Sequence, residues 1–157
     1  MPVELNGEGL DEALAAIGLR KRRNLLVIED AVIDSTILSR IGLRNGFTTK
    51  TANSYADAVA LLKKWRFDCI TLDLGLGDEA GIWILSFLAE LRSKASIVIV
   101  SGAEQEVCDQ TARFGRSIGL NVHASLQKPV DLARLSETMA ELKAEPRLDR
   151  RATATTH

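Results

Sequence analysis

Apolar and polar positions change rhythm along this chain in a way that separates strands from helices. Short runs of β-branched and aliphatic residues, Leu25-Leu26-Val27-Ile28, Phe47 to Ala52, Cys69-Ile70-Thr71-Leu72, Ile97-Val98-Ile99-Val100 and Val122 to Leu126, have the length and composition of β-strands. The continuously apolar ones suit central strands covered on both faces. Between them, apolar residues recur at helical spacing: Ile37, Leu38 and Ile41, then Ala58, Leu61 and Leu62, then Ile84, Leu85 and Leu88. Val107, Thr111 and Phe114 mark a fourth stripe, and Leu132, Leu135 and Met139 a fifth. Ser54 three residues before Asp57 predicts a helix N-cap, and Gly46 suits a helix C-terminus. Five β/α units in succession predict an α/β fold, a doubly wound five-stranded parallel sheet.

Outside this core the pattern changes. Leu10, Ala13, Leu14 and Ile17 repeat at helical spacing ahead of the basic run Arg20-Lys21-Arg22-Arg23, which predicts an N-terminal helix with cations at its negative end. Beyond Pro146 the sequence is polar and aperiodic, so a frayed tail is expected. The resulting division is an extension over 1–22, one domain over 23–144 and a disordered tail over 145–157. An isolated helix of the N-terminal length is marginal in water, so its stripe should pack on its own domain or pair two chains as a homodimer.

Composition narrows the function classes. At 157 residues with 46% hydrophobic and 26% charged side chains, the chain suits a single globular domain rather than a disordered one. Its 20 Lys and Arg balance 21 Asp and Glu, and a net charge of -1 provides no global field for nucleic acid or an anionic membrane. No apolar run reaches membrane-spanning length and no signal peptide opens the chain, so the expected location is cytoplasmic. Cys69 and Cys108 stand in no metal-type spacing and are expected to be reduced thiols. Trp65 and Trp83 read as partly buried helix aromatics.

The chemistry concentrates at one place. In an open parallel α/β sheet, ligands bind outside the carboxyl ends of the strands. Glu29 and Asp30 follow the first strand, Asp73 the third, Ser101-Gly102 the fourth and Lys128-Pro129 the fifth. Carboxylates gathered at one edge repel each other unless a cation joins them, and hard oxygen ligands suit Mg²⁺. Lys128, a mobile cation, and the Ser101 hydroxyl add groups able to stabilise phosphoryl oxygens. Taken singly, each of these residues is an ordinary strand end, turn or cap. Their joint occurrence points to a phosphoryl site.

This pattern resembles the CheY-like receiver domains of two-component response regulators. The resemblance runs from about Asn24 to Lys143: the acidic pair Glu29-Asp30, Asp73 within Leu72-Asp73-Leu74, Gly81 eight residues on, Ser101-Gly102-Ala103, and Lys128-Pro129. It implies a (βα)5 flavodoxin-like fold, and a regulatory phosphoacceptor domain rather than an enzyme with turnover. Asp73 would accept a phosphoryl group from a sensor histidine kinase or a histidine phosphotransfer protein. Asp30, Asp73 and the Gly75 carbonyl would ligate Mg²⁺, with Glu29 holding it through water. Lys128, Ser101 and the backbone N–H groups of Leu74, Gly75 and Gly102 would meet the phosphoryl oxygens. The output would be binding to an unknown downstream protein, through rearrangement around the fourth helix and fifth strand. With no room after Lys143 for an output domain, a stand-alone receiver is expected.

Some positions depart from the common form. Gly77 stands where the loop after the phosphoacceptor usually has Pro. Ser125 occupies the switch position, three before the lysine, where receivers usually carry Tyr or Phe and couple it to the hydroxyl residue, here Ser101. His123 falls on the same side by strict alternation. The 27 positions from Ser101 to Lys128 suggest an extended fourth helix. Gly119-Leu120-Asn121-Val122 leading to Leu126-Gln127-Lys128-Pro129 is similar to receivers attached to EAL-type phosphodiesterases. Ile33 is open to two readings, a kinase-docking side chain or an extension of the Ile37 and Ile41 stripe. Two other function classes compete: a small Mg²⁺-dependent phosphatase of haloacid-dehalogenase type, which wants an Asp where Gly75 stands, and an adapter of receiver fold that signals without phosphate.

Overall fold

The computed structural model describes residues 23–76 and 80–145. Expectations for the N-terminal helix around Leu10, Leu14 and Ile17, for Gly77 and for the tail from Pro146 onward lie outside the described residues. Strands β1 (Arg23–Ile28), β2 (Phe47–Ala52), β3 (Cys69–Leu72), β4 (Ser96–Ser101) and β5 (Asn121–Gln127) alternate with helices α1 (Val32–Arg44), α2 (Tyr55–Lys64), α3 (Ala80–Glu90), α4 (Gln105–Ser117) and α5 (Leu132–Ala144). The sheet is five-stranded in the order β2-β1-β3-β4-β5, with every neighbouring pair parallel. Arg23 opens β1, where the spacing had placed it at a helix end. Among the described residues no helix is long and apolar enough to cross a membrane.

Alternation along the central strands sorts the core into two layers. Leu25, Val27, Val98 and Val100 face α1 and α5, meeting Leu38, Ile41, Leu135 and Met139. Leu26, Ile28, Ile70, Leu72, Ile97 and Ile99 face α2, α3 and α4, meeting Ala58, Leu62, Ile84, Leu88 and Cys108. Each of these side chains is buried, and burying an aliphatic side chain contributes about 1.5–3 kcal/mol. Both cysteines are buried.

Helix ends follow their local chemistry. Ser54 caps α2 by accepting the Asp57 N–H at 3.1 Å, and Asp131 caps α5 by accepting from Ala133 and Arg134. Gly46 follows α1 at φ +87°. Two close approaches need glycine for lack of a side chain: a Cβ at Gly42 would lie 2.6 Å from Leu25 Cδ2, and one at Gly115 would lie 2.8 Å from Val122 Cγ2.

Several helical stripes differ from the spacing argument. On α4 the buried residues are Cys108, Thr111, Ala112 and Gly115, while Val107 and Phe114 are exposed. The small residues let α4 approach β5 closely, and that rotates the larger apolar side chains outward. Leu132 is exposed at the start of α5. Helix α4 has 13 residues, the same as α1 and α5. Trp65 and Trp83 are exposed rather than partly buried; Trp65 closes α2 with Lys50 Nζ 4.5 Å from its ring centre. Ile33 is 75% exposed, which removes it from the core stripe.

Candidate functional site

A doubly wound sheet has a topological switch point, here between β1 and β3, whose connections leave in opposite directions. The crevice there opens at the carboxyl ends of these strands, where Glu29, Asp30 and Asp73 emerge. One carboxylate oxygen from each lies within 4.8 Å of the others, with Glu29 and Asp73 buried and Asp30 exposed. The backbone holds them in place. Asp73 N–H donates to the Ile28 carbonyl and Glu29 N–H to the Ala52 carbonyl, so both follow strands still in register.

Lys128 enters from the end of β5. Its ammonium donates to Glu29 Oε2 at 2.8 Å, Asp34 Oδ2 at 2.9 Å and Asp73 Oδ2 at 3.3 Å. The cation read as mobile is thus held by three carboxylates. Asp34, in the first turn of α1, escaped the sequence reading because an acid there is already explained by the helix dipole. Its distance from Lys128, 94 positions in sequence, left no local signal.

Remaining donors complete the acidic crevice. Glu29 Oε1 accepts the Ala31 N–H at 3.2 Å, and Asp73 Oδ1 accepts the Gly75 N–H at 2.9 Å. Burial pushes the Glu29 carboxyl up to about 7, with Asp73 adding to the rise and the Lys128 and Ala31 donors opposing it. Burial acts on Asp73 in the same sense, but the Gly75 N–H, Glu29 and Lys128 outweigh it and hold Asp73 below its ordinary range. Desolvation works against charge on Lys128 as well, and its carboxylate partners more than offset that, holding it above an ordinary lysine. The crevice therefore favours a proton on Glu29 over a wider pH range than an ordinary carboxylate holds one, while Asp73 stays charged. Three convergent carboxylate oxygens form a hard donor set suited to a divalent cation.

Ser101 ends β4 fully buried, with its Oγ accepting the Ala103 N–H at 3.2 Å. Its carbonyl accepts the Lys128 N–H at 2.8 Å, tying the ends of β4 and β5 together. Gly102 is exposed, and a Cβ there would meet nothing within 4 Å, so its backbone is open to an approaching group.

Ser125 and His123 part company. In the β4–β5 ladder Ile97 pairs with Val122 but Val98 pairs with Ala124, leaving His123 as an extra, bulged residue. The bulge breaks the alternation that had set His123 beside Ser125. His123 turns to α5, with Nε2 3.0 Å from Glu141 and Nδ1 3.2 Å from Glu145. Ser125 faces α4 and helps line an open cleft of about 490 Å³ with Ala112, Arg113, Arg116 and Arg134. Its Oγ is buried next to the Cys108 thiol, which also contacts the Ala103 carbonyl at 3.6 Å.

Comparison with known proteins agrees with this geometry. The family model described as "Response regulator receiver domain" matches residues 25–140. The transcriptional regulatory protein ZraR of Salmonella typhimurium is 28% identical over 129 residues, covering 82% of this chain; the chain spans only 28% of that relative's length. A response regulator from Colwellia psychrerythraea superposes with a TM-score of 0.68 at 24% identity, over 78% of this chain and 97% of the other. A response regulator from Burkholderia pseudomallei, solved with a phosphorylated aspartic acid, calcium ion and citrate, does so with a TM-score of 0.59 at 26% identity, over 80% and 77%. With the family pattern spanning the sheet from β1 to α5, the chain belongs to the response regulator receiver family.

Proposed function

We propose that Asp73 accepts a phosphoryl group from the phosphohistidine of a sensor histidine kinase or a histidine phosphotransfer protein, and that the phosphorylated domain signals by binding another protein. The observation that carries this reading is the Lys128 ammonium, which bridges buried Glu29 and Asp73 beside Asp30 at the switch point. A charged, buried carboxylate with a cation 3.3 Å away is a nucleophile beside a group that can stabilise the product.

In the transfer, a carboxylate oxygen of Asp73 forms a bond to phosphorus while the N–P bond of the donor breaks, returning its electron pair to the imidazole. Lys128, the Ser101 hydroxyl and the N–H groups of Leu74, Gly75 and Gly102 meet the phosphoryl oxygens. Asp30 and Asp73, with the Gly75 carbonyl, would hold Mg²⁺ directly, and Glu29 through water. Bound there, Mg²⁺ supplies positive charge to the phosphoryl oxygens. Val32 and Ile33, 78% and 75% exposed at the start of α1, form an apolar rim next to the site where the donor protein docks.

Hydrolysis of the phosphoaspartate needs water held in line with phosphorus. Gly75 and Ala103, two positions beyond Asp73 and Ser101, carry no polar side chain for this task, so the phosphoryl group should be long-lived. Installing Asn at Gly75 and Glu at Ala103 should speed its decay, and a fast parental decay that neither substitution accelerates contradicts the reading. The direct test is phosphorylation by acetyl phosphate, read by intact mass: one phosphoryl group per chain is expected, absent in Asp73→Asn. Labelling that persists in Asp73→Asn removes the assignment.

One observation favours a second reading. Ser125 cannot fill its cleft as an aromatic ring would, so an adapter of receiver fold could bind its partner regardless of phosphate. Partner binding unchanged by beryllofluoride and by Asp73→Asn selects that alternative.

A further inference from the structure

The ammonium of Lys128 has three N–H donors, and all three are engaged by carboxylates. Glu29 and Asp73 are buried, with side chains 1% and 7% exposed, whereas Asp34 is 41% exposed and reaches in from the first turn of α1. The longest of the three contacts, at 3.3 Å, is the one to Asp73; the Asp34 contact is 2.9 Å. Asp34 thus draws the ammonium toward α1.

We infer that Asp34 is a positioning residue that restrains Lys128, setting how far the ammonium leans toward Asp73. This rests on the receiver reading of the site and adds a residue to it. An acid in the first turn of a helix is accounted for by the helix dipole, but the dipole does not explain a 2.9 Å contact to a lysine on another element. Two consequences of opposite sign follow. Without the Asp34 charge, Lys128 closes on Glu29 and Asp73 and competes with a divalent cation for the same oxygens. The freed N–H is at the same time available to an oxyanion seated on Asp73. Asp34 therefore favours the metal-loaded resting site and tempers its grip on a phosphoryl group.

The test measures Mg²⁺ affinity by amide NMR shifts, and beryllofluoride affinity at saturating Mg²⁺, in the parent protein, Asp34→Asn and Asp34→Glu. Asp34→Asn should weaken Mg²⁺ and tighten beryllofluoride, each by about two- to fivefold, the range for a partly exposed ion pair. Asp34→Glu, which keeps the charge, should restore both toward the parent. A change of both affinities in the same direction, or of neither, overturns the inference, since a loss of local structure weakens both together. If the parent binds Mg²⁺ but no beryllofluoride, the receiver reading fails. The Mg²⁺ arm then decides alone: weaker binding in Asp34→Asn with recovery in Asp34→Glu sustains the Lys128 restraint, and unchanged binding removes it.

Discussion

The two edges of the sheet solve opposite electrostatic problems. At the carboxyl edge, Glu29, Asp34 and Asp73 converge on a single ammonium, and the backbone donors Ala31 and Gly75 serve the carboxylates. At the amino edge, where the helices end, cations dominate: Arg44, Lys63, Lys64, Arg116 and Lys143 lie in last turns, with Arg66, Arg92 and Lys94 in the loops beyond. Two cations at this edge are spent on main-chain oxygens. Arg23 donates to the Leu142 and Glu145 carbonyls, and Arg116 to the Val122 carbonyl at 2.9 and 3.1 Å. Parallel strands force every helix to return in the same direction, so the positive ends of the helix dipoles share one edge and the negative ends the other. Like charge crowded into a buried crevice is tense and responsive to ligands, whereas cations on helix carbonyls are relaxed. A net charge of -1 conceals this separation.

The largest effect expected from breaking the contrast comes from removing the shared cation. Lys128→Ala leaves two buried carboxylates unpaired and should cost about 3 kcal/mol, measured by denaturant unfolding at pH 8. At pH 6 the loss should shrink, because Glu29 takes up a proton. An equal loss at both pH values breaks the account of the acidic edge.

Metal binding should sharpen it next. The Glu29 carboxyl lies at about 7 in the folded protein against an ordinary 4.5. Between those values the folded chain holds a proton that the unfolded chain has released, so this group's contribution to stability falls as pH rises through that window. Mg²⁺ must displace the same proton, so its affinity should climb by up to about tenfold from pH 6 to 8, most of it below pH 7, and level off above. A flat profile contradicts the shared-proton picture.

The amino edge should behave differently. Arg23→Ala removes donors from the last carbonyls of α5 and should cost about 1 kcal/mol without changing Mg²⁺ affinity. Altered Mg²⁺ binding in that variant means the edges are coupled. The smallest effect is a gain: Arg92 sits at φ 53° after α3, a left-handed position that suits glycine, and its neighbour Ser93 N–H reaches back to the Leu88 carbonyl. Arg92→Gly should stabilise by about 0.5–1 kcal/mol, read as a rise in Tm.

The contrast also explains what was legible in the sequence. Strands were readable because β-branched runs between turn residues need no tertiary information, and Glu29, Asp30, Asp73 and Lys128 were readable because a parallel sheet sends every strand end to one edge. Helix faces were less secure. Val107 and Phe114 look apolar, but Ala112 and Gly115 decide which side of α4 packs, since small residues allow approach. Asp34 was invisible because its partner lies on another element, and His123 was misplaced because a bulge leaves no mark in a local pattern.

That bulge makes β5 a strand with two phases. Its first half is keyed to one helix layer and its second half is offset by a residue, so His123 can be tuned against α5 while Ser125 is tuned against α4, neither dictating the other. A one-residue deletion at His123 would restore simple alternation and merge the two halves into one reading frame. Val122, Ser125 and Lys128 would keep their faces while the imidazole aimed at α5 disappeared together with the offset, a change that no single substitution can imitate.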